Sequence, residues 1–94
     1  MRRAAAIDAN QPKIVEQLRR CGFSVLHLHT IGQGCPDIAV GAKGKNFLFE
    51  IKDPENIPSK RQLTPDEVLF QQRWRGQYHV IETIDDALRV IDEK

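Results

Sequence analysis

Three charged residues stand among apolar ones in the segment GCPDIAVGAKGKNFLFEIKDP, residues 34–54: Asp37, Glu50 and Lys52. Two carboxylates suit a hard cation such as Mg²⁺ or Mn²⁺, whose remaining ligands are usually water and phosphate oxygens. Such an ion lowers the pKa of a bound water and neutralises charge on a phosphate during hydrolysis. A nearby lysine could orient or deprotonate that water, or stabilise the developing charge. The residue types therefore indicate metal-assisted hydrolysis.

Whether the two acids meet depends on how the strands DIAV and FLFEIK pair. A two-residue turn at Lys43 and Gly44, which the glycine makes sterically easy, places Asp37 directly opposite Glu50. Opposed carboxylates, with Cβ atoms about 5 Å apart, are destabilising unless a positive charge lies between them. A register shifted by one residue would put the acids on opposite faces. The alternative is a solvated strand face with an ion pair worth at most about 1 kcal/mol.

Read in order along the chain, these residues resemble the PD-(D/E)XK nuclease signature, written here as Pro36-Asp37 and Glu50-Ile51-Lys52 with twelve residues between the acids. The segments DANQPKIVEQLRRCGFSV, GCPDIAVG, LFEIKD, LTPDEVLFQQRW and HVIETIDDAL resemble the stand-alone VRR-NUC domains common in phages and prophages. The resemblance covers nearly the whole chain. It implies an α/β fold with a restriction-endonuclease-like core, similar to that of Holliday-junction resolvases, in which helices flank a mixed sheet.

The resemblance also implies individual roles. Asp37, Glu50 and the backbone carbonyl of Ile51 would hold Mg²⁺ or Mn²⁺, and Lys52 would be the catalytic lysine. The partner would be DNA, and a homodimer is expected because so small a domain has little surface for holding a junction.

An acidic residue on or near the first helix often joins such sites. Asp8 fits the place where related domains carry a glutamate a few residues before a glutamine, here Gln11, although a capping aspartate accounts for it equally well. Glu16 is the rival, but Arg19 and Arg20 at i+3 and i+4 explain it as a surface ion-pair residue. Both interpretations stay open.

Glu67 is a further candidate acid, and here the chain departs from the family pattern. Related domains often have a glutamine near the start of the second helix that touches the active site. Thr64, Pro65 and Glu67 form a capping box with proline at the first helical position, which already accounts for the glutamate.

Periodicity and turn signals predict the order α-β-β-β-α-β-α. The expected elements are a helix over 12–21, a strand over 23–29, the hairpin, a helix over 65–75, a strand over 78–82 and a closing helix after the cap Thr83. Ile84, Ala87, Leu88 and Ile91 should form the buried side of the closing helix.

Composition predicts one domain over residues 1–94, ordinary in its 40% hydrophobic and 29% charged content. No apolar run approaches the roughly 20 residues of a membrane span, and MRRAAAID lacks the apolar core of a secretory signal. We therefore expect no membrane partner and a cytoplasmic location, in the host cell if the chain is phage-encoded. Cys21 and Cys35 lack metal-ligand spacing and should be reduced thiols.

A formal net charge of +1 does not by itself indicate nucleic-acid binding, so any DNA contact must come from local clusters of basic residues. Lys60 and Arg61, on the loop over residues 53–63, and Lys43 and Lys45, at the hairpin tip, could contact the phosphate backbone. Each pair is also explained as ordinary solvated surface. Nothing resembles a base-reading element, which favours recognition of DNA shape.

Two further pairs favour structural interpretations. His27 and His29 share one side of a strand but lack a third zinc ligand, so they are predicted to be partly buried strand histidines. Phe70 and Trp74, four residues apart on the second helix, are predicted to be core residues and not base-stacking ones.

Together these features predict a metal-dependent endodeoxyribonuclease that hydrolyses phosphodiester bonds in branched, flapped or four-way-junction DNA. The first alternative is a catalytically silent DNA-binding module with the same fold. The second is a structural or partner-binding domain whose acids form surface ion pairs.

Overall fold

The computed structural model describes residues 8–93, which form three α-helices and four β-strands in the predicted order. The elements are α1 (Gln11–Arg20), β1 (Ser24–His27), β2 (Ile38–Ala42), β3 (Lys45–Ile51), α2 (Pro65–Arg73), β4 (Tyr78–Ile81) and α3 (Ile84–Asp92). Short 3₁₀ turns lie at His29–Ile31 and Pro58–Arg61. No helix within the described range is long and apolar enough to cross a membrane.

The strands form one mixed sheet in the order β1-β2-β3-β4. The pairs β1–β2 and β2–β3 are antiparallel, and β3–β4 is parallel. A parallel neighbour requires a crossover connection, and α2 provides it. The sequence prediction of a mixed sheet with helices is therefore confirmed.

The hairpin between β2 and β3 has the predicted register. Ile38 pairs with Phe49 and Ala42 with Lys45, which leaves Lys43 and Gly44 as the two-residue turn. Their φ angles are 55° and 77°. Positive φ at both turn positions matches the twist of the strands, so this turn sets the pairing.

One face of the sheet carries the hydrophobic core. Partners across the strands share a face, so alternate residues of β2, β3 and β4 meet there. The helices α1 and α3 pack over them. The buried cluster is Ile14, Val15, Leu18, Ile38, Val40, Ala42, Phe47, Phe49, Ile51, Ile81, Ala87 and Ile91. Burial of each large side chain contributes about 1.5–3 kcal/mol, so this face supplies most of the stability.

The helix α2 lies on the opposite face, and it has no buried residue within its bounds. Its Phe70 ring lies 5.8 Å from that of Tyr78 in β4. Thr64 and Glu67 form the predicted capping box, and Pro65 occupies the first turn. This helix is held by its cap and by a few contacts to the sheet, and not by a broad apolar surface.

Several boundaries differ from the sequence prediction by one or two residues, among them both ends of α1, which covers Gln11–Arg20 and not 12–21. β1 ends at His27, and the chain turns into the 3₁₀ segment at His29–Ile31. β4 ends at Ile81, one residue early. α2 ends at Arg73 because Trp74 takes extended backbone angles, with φ −72° and ψ 128°. The physical reason at β1 is that the Ile31 backbone N–H donates to the Leu28 carbonyl at 3.0 Å and closes a turn, which strand alternation does not reveal.

Candidate active site

Asp37, Glu50 and Lys52 lie together at the end of the hairpin away from its turn. Asp37 immediately precedes β2, Glu50 is in β3 and Lys52 follows β3. Their exposed fractions are 6%, 3% and 6%. Surface ion-pair residues would be much more accessible, so the interpretation as a solvated strand face is wrong. Burying this many charged groups costs free energy unless they are paired. Such clusters of buried charged groups are typical of functional sites.

Asp37 is fixed by the backbone of β3. The Ile51 backbone N–H donates a buried hydrogen bond of 2.7 Å to Asp37 Oδ2. Burial raises the pKa of Asp37, and the hydrogen bond from Ile51 opposes that rise. The hairpin register thus brings the acid against the strand that carries Glu50.

Lys52 lies between two carboxylates. Its Nζ is 3.4 Å from Glu50 Oε2 and 3.0 Å from Glu67 Oε1. Burial alone lowers the pKa of Lys52, but the hydrogen bond to Glu67 and the charges of Glu50 and Glu67 outweigh it, and the pKa is raised. Lys52 is therefore an ammonium group at neutral pH. It can donate hydrogen bonds but cannot accept a proton, which favours an electrostatic role over a general base.

Glu50 has one carboxylate oxygen that no N–H donor of the described residues reaches, and its carboxyl group also lies against that of Asp37. Its Oε2 meets Lys52, whereas Oε1 is buried and receives no hydrogen bond from the described residues. Burial, followed by the charges of Asp37 and Glu67, raises the pKa of Glu50 to about 9. Glu50 would thus stay ionised at neutral pH only if a further positive charge approached it. A divalent cation shared with Asp37 fits that requirement.

The protein side chains alone do not form a closed metal cage. Among residues 8–93, no group of three or more His, Cys, Asp or Glu side chains is arranged to hold a metal ion. Two carboxylates suit Mg²⁺, which keeps several waters and binds through few protein ligands. Whether the Ile51 carbonyl also serves as a ligand stays a prediction.

Glu67 belongs to this cluster and also caps α2. Its Oε1 accepts from the Thr64 backbone N–H at 2.9 Å and from Lys52 Nζ at 3.0 Å. The Glu67 N–H in turn donates to Thr64 Oγ1 at 3.2 Å. The two interpretations of Glu67 from sequence are therefore compatible, because one carboxylate oxygen performs both tasks.

Gly34 allows the loop before Asp37 to approach the start of α2. Its φ is 80°, and a Cβ at this position would collide with the backbone carbonyl of Asp66. Glycine is required here both by the left-handed conformation and by the missing space. This close approach brings the loop before Asp37 against the first turn of α2, next to Glu67.

Asp8 lies near the cluster and is half-buried. Its pKa is raised, chiefly by burial, while the charge of Lys52 lowers it and those of Asp53 and Glu67 add to the rise. The structure thus brings Asp8 close enough to interact electrostatically with Lys52. Its participation as a ligand stays a prediction.

Asn10 contributes to the site, and the sequence analysis missed it. Its Nδ2 donates to the backbone carbonyls of Lys52 at 3.2 Å and Glu82 at 2.9 Å. These bonds fasten the start of α1 to the ends of β3 and β4. Its position before a proline-containing helix start indicates only an N-cap, yet the side chain makes no capping bond. No sequence signal predicts the contact it makes instead.

The structure does not bring Glu16 to the cluster. Glu16 is exposed on α1, and its Oε2 lies 3.3 Å from Arg20 Nη2. It is the surface ion-pair residue that its spacing to the arginines indicates.

The four basic residues proposed for phosphate contacts lie in two places. Lys43 is in the hairpin turn and Lys45 follows the turn, with Lys43 about 20 Å from Asp37 along six residues of strand. Lys43 Nζ forms an ion pair of 2.8 Å with Asp92. Lys60 and Arg61 end the 3₁₀ turn within the loop that joins Lys52 to α2. Of the two pairs, only Lys60 and Arg61 lie on a segment whose two ends, at Lys52 and at the start of α2, both adjoin the buried cluster.

The structural interpretations of two pairs are corrected. His27 is exposed, and only His29 is partly buried, in the 3₁₀ turn and not in the strand. Their rings are 5.8 Å apart, edge to face. Trp74 is 46% exposed and is not a core residue, because the chain leaves the helix there. Phe70 is half-buried.

Both cysteines, Cys21 and Cys35, are free thiols, as the sequence analysis predicted. Burial raises the pKa of the Cys35 thiol, and the charges of Glu50 and Asp37 raise it further. The Cys35 thiol is therefore protonated at neutral pH and unsuited to nucleophilic chemistry.

Comparison of the chain with protein-family models, with curated proteins and with solved structures gave no match. The assignment of a function therefore depends on the geometry of the buried charges and on the residues that carry the resemblance to nucleases.

Proposed function

We propose that this chain is a metal-dependent endodeoxyribonuclease of the PD-(D/E)XK type, related to the stand-alone VRR-NUC domains. One observation carries the proposal: Glu50 Oε1 is buried beside a second buried acid, Asp37, and no N–H donor of the described residues reaches it. Two adjacent buried carboxylates, one with an oxygen that no donor reaches, are stabilised by a cation placed between them. The order of Asp37, Glu50 and Lys52 on a hairpin supports the same assignment.

Asp37 and Glu50, with the Ile51 carbonyl, would hold Mg²⁺ or Mn²⁺. When bound, the ion would supply a water of lowered pKa and neutralise charge on the phosphate under attack. The donor set fits such an ion, since it is made of oxygens and leaves most positions to water and substrate.

Lys52 would stabilise the negative charge that develops on the phosphate oxygens, since its ammonium group is buried and already aligned. Glu67 holds Lys52 in place through the 3.0 Å contact while it caps α2. The orientation of the lysine is thus coupled to the start of one helix. A group fixed in advance costs little reorganisation during the reaction, which is how such residues accelerate chemistry.

The four-stranded mixed sheet with three helices is the coarse architecture expected of a restriction-endonuclease-like core, and we propose that finer assignment for this chain. The substrate would be DNA with a branch, flap or four-way junction, bound by a homodimer with two symmetric sites. Lys60 and Arg61 would contact the backbone of the DNA near the scissile phosphate.

Cleavage of end-labelled duplex, flap and four-way-junction DNA with Mg²⁺, with Mn²⁺ and with EDTA tests the proposal. We expect metal-dependent cutting that is lost in Lys52→Met and in Glu50→Gln. Lys13→Met is the matched control, because Lys13 is an exposed lysine on α1 that takes no part in the buried cluster. Circular dichroism establishes that each variant is folded.

Intact DNA in every lane from folded protein would contradict a nuclease. If the same protein still bound DNA in a salt-dependent way, the silent module would replace it. A thermal-shift measurement adds a second readout, since Mn²⁺ should raise the Tm of the wild type through mass action but not that of Glu50→Gln.

A further inference from the structure

A groove of about 420 Å³ runs along α2, on the side of the helix next to the loop that leads to Asp37. It is lined by Gln33, Asp66, Leu69, Phe70, Arg73 and Trp74. At one end, Gln33 is in the loop that leads to the catalytic acid, and Asp66 adjoins Glu67. The other end is Trp74, eight residues or about 12 Å further along the helix direction. The groove therefore leads away from the candidate active site.

Two aromatic rings, those of Phe70 and Trp74, are stacked at the far end of the groove. The Phe70 ring lies 5.2 Å from that of Trp74 with 15° between their planes, and 5.8 Å from that of Tyr78. Tyr78 is in the sheet and its ring is tilted by 39° to that of Phe70, so the three rings form an aromatic cluster in which Phe70 and Trp74 are the stacked pair. Its last member, Trp74, is 46% exposed. The Phe70 ring stacks on the indole and Gly76 lies close to its pyrrole part, while nearly half of the residue stays exposed and can meet another flat ring.

The surroundings of Trp74 are basic. Arg73 lines the groove, and Arg75 is the next residue after the tryptophan; both are exposed. Within residues 8–93, neither arginine takes part in an ion pair. Their charges are thus free to meet a phosphate. An aromatic ring flanked by cations matches a nucleotide, whose base is flat and apolar and whose backbone is anionic.

We propose that the groove along α2 binds an unpaired stretch of DNA, with a nucleobase stacked on Trp74 and its phosphates beside Arg73 and Arg75. This deepens the proposed nuclease function and depends on it for the location of the scissile phosphate. It defines the substrate class as DNA with a single-stranded arm, because a base within a duplex has no free face to offer. The tryptophan would recognise the lack of pairing, not the identity of the base.

Fluorescence can report on this contact directly, since Trp74 is the only tryptophan of the chain. The wild-type protein is titrated in EDTA, where no cleavage occurs, with three probes: a flap duplex with an unpaired thymidine arm, the blunt duplex of the same sequence, and the thymidine arm alone. We expect saturable quenching by the flap and by the arm, and little quenching by the blunt duplex at equal salt.

The binding of protein variants to fluorescein-labelled flap DNA, measured by fluorescence anisotropy, separates the stacking contact of Trp74 from the phosphate contacts of the arginines. Trp74→Leu should weaken binding of the flap about 10-fold or more, and Trp74→Phe should restore most of it. Arg73→Ala should weaken all probes and reduce the salt dependence. The matched controls are Leu26→Ala, a residue 63% exposed on β1, and Arg20→Ala on α1, which should leave flap binding unchanged.

Equal quenching by flap and blunt duplex, or wild-type affinity of Trp74→Leu for the flap, would overturn the proposal. The proposal would also be overturned if the emission of Trp74 changed when the protein was diluted without DNA but did not change when DNA was added. That result would mean that a second copy of the chain covers Trp74. Cleavage separates this proposal from the function on which it depends. Loss of flap preference in Trp74→Leu with retained Lys52-dependent cutting supports both. Cutting without any Trp74 effect refutes only the stacking contact of Trp74, and quenching without cutting by the wild type refutes only the nuclease.

Discussion

The two faces of the sheet differ in what holds them. The face under α1 and α3 is closed by apolar side chains, and Phe49 at its centre is fully buried. The face under α2 is held by a lysine between two carboxylates and by an aromatic stack that ends at an exposed tryptophan. Stability is concentrated on the first face, and the candidate active site lies on the second.

The difference between the two faces explains how a small chain can stay folded with buried charged side chains. A row of acids destabilises the region that contains it, unless a partner neutralises them. The strand β3 serves both faces, because alternate residues point in opposite directions. Phe47, Phe49 and Ile51 anchor the strand in the core, so the same strand can present Glu50 on its other side.

The largest effect should come from the core face. Phe49→Ala should lower the free energy of unfolding by about 3–5 kcal/mol, because it removes a fully buried ring and leaves a cavity. Urea denaturation measures the change. Leu26→Ala, at an exposed position, should stay within about 0.5 kcal/mol of the wild type. Similar losses for both variants would break the distinction between the faces.

The pH dependence of the metal-free protein should come from the other face. The pKa of Glu50 is about 9 in the folded chain, and its ordinary value is 4.5. Between these two pH values, Glu50 is therefore protonated in the folded state and ionised in the unfolded state. Stability should therefore fall as pH rises from about 4.5 to about 9, by at most about 1.4 kcal/mol per unit.

Urea denaturation at a series of pH values checks this, with Glu50→Gln as the comparison. The amide cannot ionise, so the variant should show a flatter profile over the same range. An identical slope in the two proteins would place the responsible group elsewhere.

Gly34→Ala should destabilise the contact between the loop and α2. The methyl group meets the Asp66 carbonyl and is placed on a residue with φ of 80°, so we expect a loss of about 2–3 kcal/mol together with loss of DNA cleavage. Gly22→Ala is the matched control, because its φ is 88° but nothing lies within 4 Å of the new atom. It should cost about 1 kcal/mol and retain cleavage. Equal effects would show that the close approach does not position the site.

The smallest effects compare the two capped helices. Thr64→Ala and Thr83→Ala each remove the threonine of a capping box, and each should cost about 1 kcal/mol. Only Thr64→Ala should also slow DNA cleavage, since Glu67 loses one of the contacts that hold it beside Lys52. Melting temperatures and single-turnover rates test this. Equal cleavage rates in the two variants would uncouple the α2 cap from the site.

Much of the fold could be predicted because its signals are local. The Lys43-Gly44 turn sets the hairpin register, and the boxes at Thr64 and Thr83 mark the starts of α2 and α3. Such signals depend on neighbours a few residues away, so they can be read along the chain. The end of α2 was predicted less well because the extended backbone of Trp74 depends on contacts outside the helix.

The sequence by itself determined which residues could do chemistry and in which order they occur: Asp37, Glu50 and Lys52 on one hairpin. Only the tertiary structure decided that they are buried, that Glu67 meets Lys52, and that Trp74 remains at the surface. Residues fifteen positions apart, such as Lys52 and Glu67, come together through the packing of a helix on a sheet. Local periodicity cannot encode that contact, because it arises from how whole elements pack.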